Sequence, residues 1–380
     1  MDDSLHHPAI YTLPEKQHVK SRGAISNPQS RFDERIRVIN VDDASHSQDE
    51  EVPVSSLATV LHHEVAKSIL SRNQSPDLPF NVSLNPYRGC EHGCIYCYAR
   101  PSHGYLGLSA GLEFETQIYG KLNAAELLRM ELGKNSYIPQ PIAIGVNTDA
   151  YQPQERHLNL TRKCLEVLQE CRHPVGLITK STLIERDIDI LGDMAKQQLA
   201  VAAITLTTLD NSLARILEPR AASPKRRLET LRKLSHAGIP TMVSVAPVIP
   251  FITDNDLEAI LTQAAEAGAT SASYTVLRLP HEVNLLFKEW LALHFPERAD
   301  RVMARVRDLH GNKDYNADFA TRMRGSGLWA DLFRQRFHKT CRKVGLNRDN
   351  RYDELRLDLF QRPRWIPAHA KSPQQDLFNF

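Results

Sequence analysis

From Phe80 onward, short runs rich in β-branched residues alternate with stretches whose apolar positions recur at helical spacing, the pattern of parallel βα units. The strands predicted are Phe80–Leu84, Ile142–Val146, Val175–Thr179, Ala200–Leu206, Thr241–Ala246 and Ser271–Leu277. Helices fall between them. One begins near Asn159 and carries Leu160, Cys164, Leu165, Leu168 and Cys171 on one stripe. A second opens on Ser223 as N-cap, has Pro224 at its first position and stops at Gly238. A third runs from Asp254 to Gly268 with Leu257, Ile260, Leu261 and Ala264 on one face. Six such units predict an α/β fold, a partial (βα)6 barrel of TIM type over residues 62–280.

The pattern changes on either side. Residues 1–61 are polar and turn-rich with few periodic apolar positions, which predicts a largely extended, flexible N-terminal region. Residues 281–350 predict a helical extension, with Leu285, Leu286, Trp290 and Leu293 inward on its first part. Between Thr321 and Arg351 nine Lys and Arg side chains stand against only Asp331 and Asp349. This is either a solvated helix face or a track for a phosphate backbone. The interleaved Trp329, Phe333 and Phe337, with Cys341, have the spacing of a core stripe. Residues 351–380, punctuated by Pro363, Pro367 and Pro373, read as a flexible tail.

Composition narrows the setting. The chain of 380 residues can hold one barrel-sized domain with appendages. Its formal net charge of +2 does not announce nucleic acid or membrane, so any basic patch must be local. No apolar run approaches the ~18 residues of a membrane helix, and Met1-Asp2-Asp3-Ser4 begins no signal peptide. A soluble, cytoplasmic protein without membrane partners is expected. Six cysteines with no regular spacing outside one loop argue for a reducing compartment.

That loop holds the chemistry. Cys90, Cys94 and Cys97 lie within eight residues, flanked by Gly89 and Gly93. A structural zinc site closes a tetrahedron with four ligands, whereas a cubic iron-sulfur cluster held by three thiolates leaves one iron open. Glycines let the loop turn tightly and bring amide N–H groups near the anionic sulfur. A zinc knot drawing on His92 or His103 as fourth ligand is the alternative.

The Cys-x3-Cys-x2-Cys spacing, with Tyr96 before the third cysteine and the wider run from Asn85 to Pro101, resembles the cluster loop of radical SAM enzymes. Within that group it resembles the branch related to spore photoproduct lyase, often labelled DNA-repair-photolyase-like, and the resemblance extends over about residues 60–350. It implies a [4Fe-4S] cluster on Cys90, Cys94 and Cys97, with S-adenosyl-L-methionine chelating the open iron. An electron from a low-potential flavodoxin- or ferredoxin-type donor would cleave the sulfonium to a 5'-deoxyadenosyl radical. The resemblance implies a nucleic-acid base as target, in lyase-like DNA repair or modification. RNA or a peptide as target, and a non-catalytic metal-containing binding protein, remain as other readings.

Chemistry in such barrels sits at the C-terminal ends of the strands. That rule selects Lys180 and Ser181 after the third strand, Arg220 after the fourth and Pro247 after the fifth as cosubstrate contacts, with Tyr96 from the loop itself. After the second strand, where many radical SAM enzymes carry Gly-Gly-Glu, the chain reads Asn147 to Glu155, so Glu155 is the candidate amino-group acceptor. Spore photoproduct lyase uses a cysteine near that strand end, and residues 142–152 contain none. Tyr98 and Tyr151 are therefore the candidate hydrogen relays, since Cys164 and Cys171 lie on a packing stripe. Finally, Gln374, Asp376, Leu377 and Phe378 form a Gln-x-Asp-Leu-Phe run that resembles the peptide by which bacterial repair proteins dock on the sliding clamp.

Overall fold

The computed structural model describes residues 19–32, 57–348 and 354–363. Ten strands follow in order: β1 Val60–Glu64, β2 Leu70–Arg72, β3 Val82–Leu84, β4 Tyr87–Arg88, β5 Gln117–Lys121, β6 Ile142–Ile144, β7 Val175–Thr179, β8 Ala200–Thr205, β9 Thr241–Val248 and β10 Ser271–Val276. The larger sheet has the order β10-β9-β8-β7-β6-β3-β2. Its six strands β3 and β6 to β10 pair in parallel, each with the next of the six, and β2 closes the edge antiparallel to β3. The six parallel strands are the six predicted, and with helices between them they form the partial (βα)6 barrel.

The strands read as continuous apolar runs because both faces are covered. A row of partners runs Leu84, Ile144, Leu177, Ala202 and Thr241 across the sheet, all buried. On the outside, Cys164, Leu165 and Leu168 of helix Leu160–Glu170 are fully buried, as are Leu257, Ile260, Leu261 and Ala264 of helix Leu257–Glu266. Each such Leu or Ile stabilises the fold by about 2 kcal/mol. Cys164, Cys171 and Cys341 are packing residues, all 3% exposed or less. Helix Pro224–His236 begins as its sequence dictates, with Ser223 Oγ accepting from Arg226 N.

Four features depart from the sequence reading. A second sheet, β1-β5-β4, flanks the barrel; its β1 lies in a stretch too polar to register as a strand, and is held partly by His62 stacked on Tyr119. Within the N-terminal region, residues 19–32 are not a loose extension: Val19, Arg22, Ala24 and Ile25 are buried against the barrel. Within the tail, Leu359 and Phe360 pack on the core beneath β7, with Phe360 against Tyr137 and His173. The basic stretch is neutralised in part. Arg322 makes two bonds to Asp77 and Arg336 two to Glu258, while Arg324 reaches the Tyr274 carbonyl. Those acids come from distant segments, so a linear charge count misses them. Lys339, Arg342 and Lys343 stay exposed on helix Gly327–Val344, whose Phe333 and Phe337 are core.

The clamp-like residues 374–380 lie outside the described residues. Among the described residues no helix is long and apolar enough to cross a membrane.

Candidate active site

The cysteine loop caps the C-terminal end of β3 and is fastened from several directions. Gly89 and Gly93 take positive φ of 73° and 67°, a region in which a side chain is strained. Cys90 N donates to Phe114 O and Ile95 N to Leu217 O. The fully buried guanidinium of Arg100 donates to the carbonyls of Cys94 (2.9 Å), Gly93 (3.1 Å), Ala110 (3.1 Å) and Gly111 (3.0 Å), and pairs with Glu115 at 2.5 Å. Cys90 and Cys94 are buried and Cys97 is half-buried. Burial pushes the Cys90 thiol well up and the Cys94 thiol to about 12, with Lys180 opposing the latter. Such thiols become thiolates only opposite strong positive charge.

The strand ends around the loop form two buried polar clusters. In the first, Asp149 after β6 accepts from Thr179 Oγ1 (2.6 Å), Tyr151 N (2.9 Å) and Lys180 N (2.8 Å), and lies 3.2 Å from His92 Nδ1. Burial alone would raise its pKa, but His92 and these donors hold the carboxyl well below the usual range. In the second, Tyr96 Oη and Arg227 both donate to Glu218, and Thr207 Oγ1 donates at 2.7 Å. Against the opposing effect of burial, Arg227 and Lys180 bring the Glu218 carboxyl down to about 2. Lys180 lies between the clusters. Its ammonium is 6.0 Å from the centre of the Tyr96 ring and has no ion-pair partner among the described residues.

The residues selected from sequence divide accordingly. Tyr96 and Lys180 come together over the strand ends beside Cys94. Ser181 caps the following turn, accepting from Leu183 N at 3.1 Å, and lines a cleft of about 230 Å³ with His92, Tyr151 and Arg220. Arg220 is paired at 3.1 Å with Glu91, whose own carboxylate also takes Thr59 and Gln154. Pro247 is buried inside β9, one residue past the end expected for that strand, and the carbonyl of its neighbour Ala246 lies 3.2 Å from Thr207 Oγ1. Glu155 lies apart. It is fully buried and engaged by Tyr87 Oη, Thr161 N, Arg162 N and Arg186, so its carboxylate ties helices to the barrel wall. Tyr151 is 1% exposed in the wall beside Asp187, whereas Tyr98 is half-exposed with Arg278 stacked 5.1 Å over its ring.

Sequence reasoning weighed His92 only as a zinc ligand and assigned no role to Asp149, Glu218 or Arg227. The available signal was position: Asp149 and Glu218 are acids in the stretches that follow predicted strands.

A family model for the radical SAM superfamily matches residues 84–264. An uncharacterized protein of Mycobacterium tuberculosis is 36% identical over 257 residues, 67% of this chain and 74% of that one. A radical SAM Nalpha-GlyT isomerase of Pseudomonas phage M6 is 27% identical over 193 residues, 49% of this chain and 37% of that one. Among solved structures, spore photoproduct lyase with bound AdoMet and dinucleoside spore photoproduct superposes with a TM-score of 0.50 at 13% identity, over 75% of this chain and 80% of that one.

The donors fit the family's cofactors. Three thiols in one backbone-anchored loop suit a cluster. Of the two histidines in the zinc alternative, His92 Nδ1 lies 3.2 Å from Asp149 and His103 Nε2 is 3.0 Å from the Gln117 carbonyl. Among the described residues no three His, Cys, Asp or Glu are gathered closely enough for a single ion. A half-buried ammonium without an ion-pair partner among the described residues, next to the loop, suits a carboxylate. The chain thus belongs to the radical SAM superfamily, enzymes that work with a [4Fe-4S] cluster and S-adenosylmethionine.

Proposed function

We propose that Cys90, Cys94 and Cys97 hold the cluster, and that the enzyme turns its radical on a base in nucleic acid. When bound and reduced by a low-potential donor, the cluster and S-adenosylmethionine supply a 5'-deoxyadenosyl radical. The chain's own groups then orient and shield. Lys180 binds the cosubstrate carboxylate as an unpaired cation, and Tyr96, held by Glu218 and Thr207, forms one wall beside it. Arg220 and Ser181 line the adjoining cleft. With no cysteine between residues 142 and 152, Tyr98 is the better-disposed hydrogen relay, because it is half-exposed near Lys180 while Tyr151 is enclosed. Exposed Lys339, Arg342 and Lys343 supply cations for a phosphate backbone. The C-terminal run at Gln374–Phe380 would bring the enzyme to DNA through the sliding clamp.

The observation that carries the nucleic-acid reading is the fold shared with spore photoproduct lyase over three quarters of the chain. The test is anaerobic: reconstitute the protein with iron and sulfide, reduce it, and quantify 5'-deoxyadenosine with S-adenosylmethionine alone, with irradiated DNA, with intact DNA and with RNA. Stimulation by DNA supports the reading and identifies the lesion. Stimulation by RNA alone moves the target from DNA to RNA, and stimulation by no nucleic acid overturns the reading.

A further inference from the structure

The segment Arg22-Gly23-Ala24-Ile25-Ser26 crosses the back of the cysteine loop, more than sixty residues ahead of it in the chain. Its contacts are buried and specific. Gly23 N and Ala24 N donate to the two oxygens of the Glu115 carboxylate, at 3.0 and 2.9 Å. The same carboxylate pairs with Arg100, which holds the carbonyls of Gly93 and Cys94. Arg22 donates to Glu115 O at 2.8 Å, to Leu57 O at 2.6 Å and to Thr59 Oγ1 at 2.9 Å, and Thr59 in turn donates to Glu91 within the loop. Ser26 Oγ donates to Glu289 at 2.5 Å and Ser26 O accepts from Leu112 N.

Three glycines make this approach possible. A β-carbon on Gly23 would stand 1.9 Å from the carbonyl oxygen of Gly93, one on Gly111 would stand 1.9 Å from Ser26 O, and one on Gly93 would meet Glu115 Oε2 at 2.7 Å. Backbone therefore lies against backbone on both sides of the segment, with Glu115 as the clasp. Charged groups this deeply buried are costly unless every bond is made. Here Arg22, Arg100 and Glu115, all 2% exposed or less, are each engaged several times over.

We propose that Arg22–Ser26 is a strap that positions the cluster loop, so that retention of the cluster and its electronic environment depend on this segment. The inference rests on the assignment of the cluster to Cys90, Cys94 and Cys97. Without the strap, the Gly93 carbonyl is left without its packing partner and Glu115 without two of its donors. The Arg100 anchor of the loop then loosens, and the positions of the three thiols change with it.

The test uses the full chain, reconstituted anaerobically, with Gly23→Ala and Arg22→Gln. Iron release to a ferrous chelator and the electron paramagnetic resonance spectrum of the reduced cluster are read alongside the thermal melt. The expected result is at least tenfold faster release and shifted g-values in both variants. Arg22→Gln adds no bulk but takes a donor from the buried Glu115 carbonyl and from Leu57 O, so its melting temperature falls as well, and release is read well below both melts, where each variant remains folded. Wild-type release and spectrum in either variant overturn the proposal. So does release that is faster only as the melt is approached in both, which would make the segment a general stabiliser. Failure of the cluster assignment itself looks different, since the wild type would then take up no cluster.

Discussion

The ammonium of Lys180 stands 6.0 Å from the centre of the Tyr96 ring, and the Tyr96 hydroxyl is bonded to Glu218. A cation held over an aromatic face, with Asp149 and Glu218 near but not paired to it, keeps its charge and its free donors. That is the state needed to receive a carboxylate. Lys180→Gln keeps the chain's reach and removes the charge. A charge-assisted bond contributes about 1.5–3 kcal/mol, so the KM for S-adenosylmethionine should rise by roughly 10- to 150-fold with iron content unchanged. An unchanged KM would remove Lys180 from the cosubstrate site.

Two cysteines of one chain should behave in opposite ways. Cys94→Ala removes a proposed ligand and should abolish reductive formation of 5'-deoxyadenosine, with iron bound per chain well below that of the wild type. Cys164 is enclosed in the hydrophobic core, so Cys164→Ala should cost about 1 kcal/mol of stability through a small cavity and leave cleavage within about twofold. Iron content and a denaturant melt on both variants decide the matter; equal iron in Cys94→Ala and wild type would refute the ligand assignment.

How far these assignments could be read from sequence depends on how local their cause is. The parallel strands and the cysteine loop were legible, because alternation, turn residues and thiol spacing are written within a few positions of each other. The partners of charges were not. Glu155 follows the second predicted strand as an acceptor should, yet Arg186 and Tyr87 reach it from elsewhere in the fold. Arg322 and Arg336 belong to a basic run until Asp77 and Glu258 arrive from distant segments. Residues 19–32 fall in the polar, turn-rich N-terminal region read as largely extended, although the charge of Arg22 is what anchors them. Long-range pairing leaves no periodicity behind it.

The basic helix offers a test of the nucleic-acid reading that separates binding from folding. Lys339→Gln, Arg342→Gln and Lys343→Gln together remove the exposed cations and should weaken binding of a DNA duplex. The slope of log affinity against log salt should fall by about 0.9 for each phosphate that is no longer neutralised. Arg336→Gln breaks a half-exposed pair with Glu258 and should instead lower stability by about 1 kcal/mol or less, with little change in salt slope. Identical salt slopes in the triple variant and wild type would leave the helix as a solvated face.

At the opposite end of the barrel, His173 ties the chain's last described segment to the sheet. It is fully buried, 2.7 Å from Tyr137 Oη and 3.0 Å from the Pro174 carbonyl, with Phe360 edge-on to its ring. Burial pushes its pKa down to about 4, only partly opposed by the carbonyl. The unfolded imidazole titrates near ~6.5, so between about 6.5 and 4 the unfolded chain binds a proton that the folded chain declines. Stability is therefore complete above that window and falls as pH drops through it, by at most about 3 kcal/mol from this group. His103, also pushed to about 4 by burial, acts in the same direction, so the informative quantity is a difference. Urea midpoints from pH 7.5 to 4.5 should decline less steeply in His173→Gln, which keeps a donor and an acceptor but no titrating proton. Parallel curves would mean that the folded protein accommodates a charged imidazole at this position.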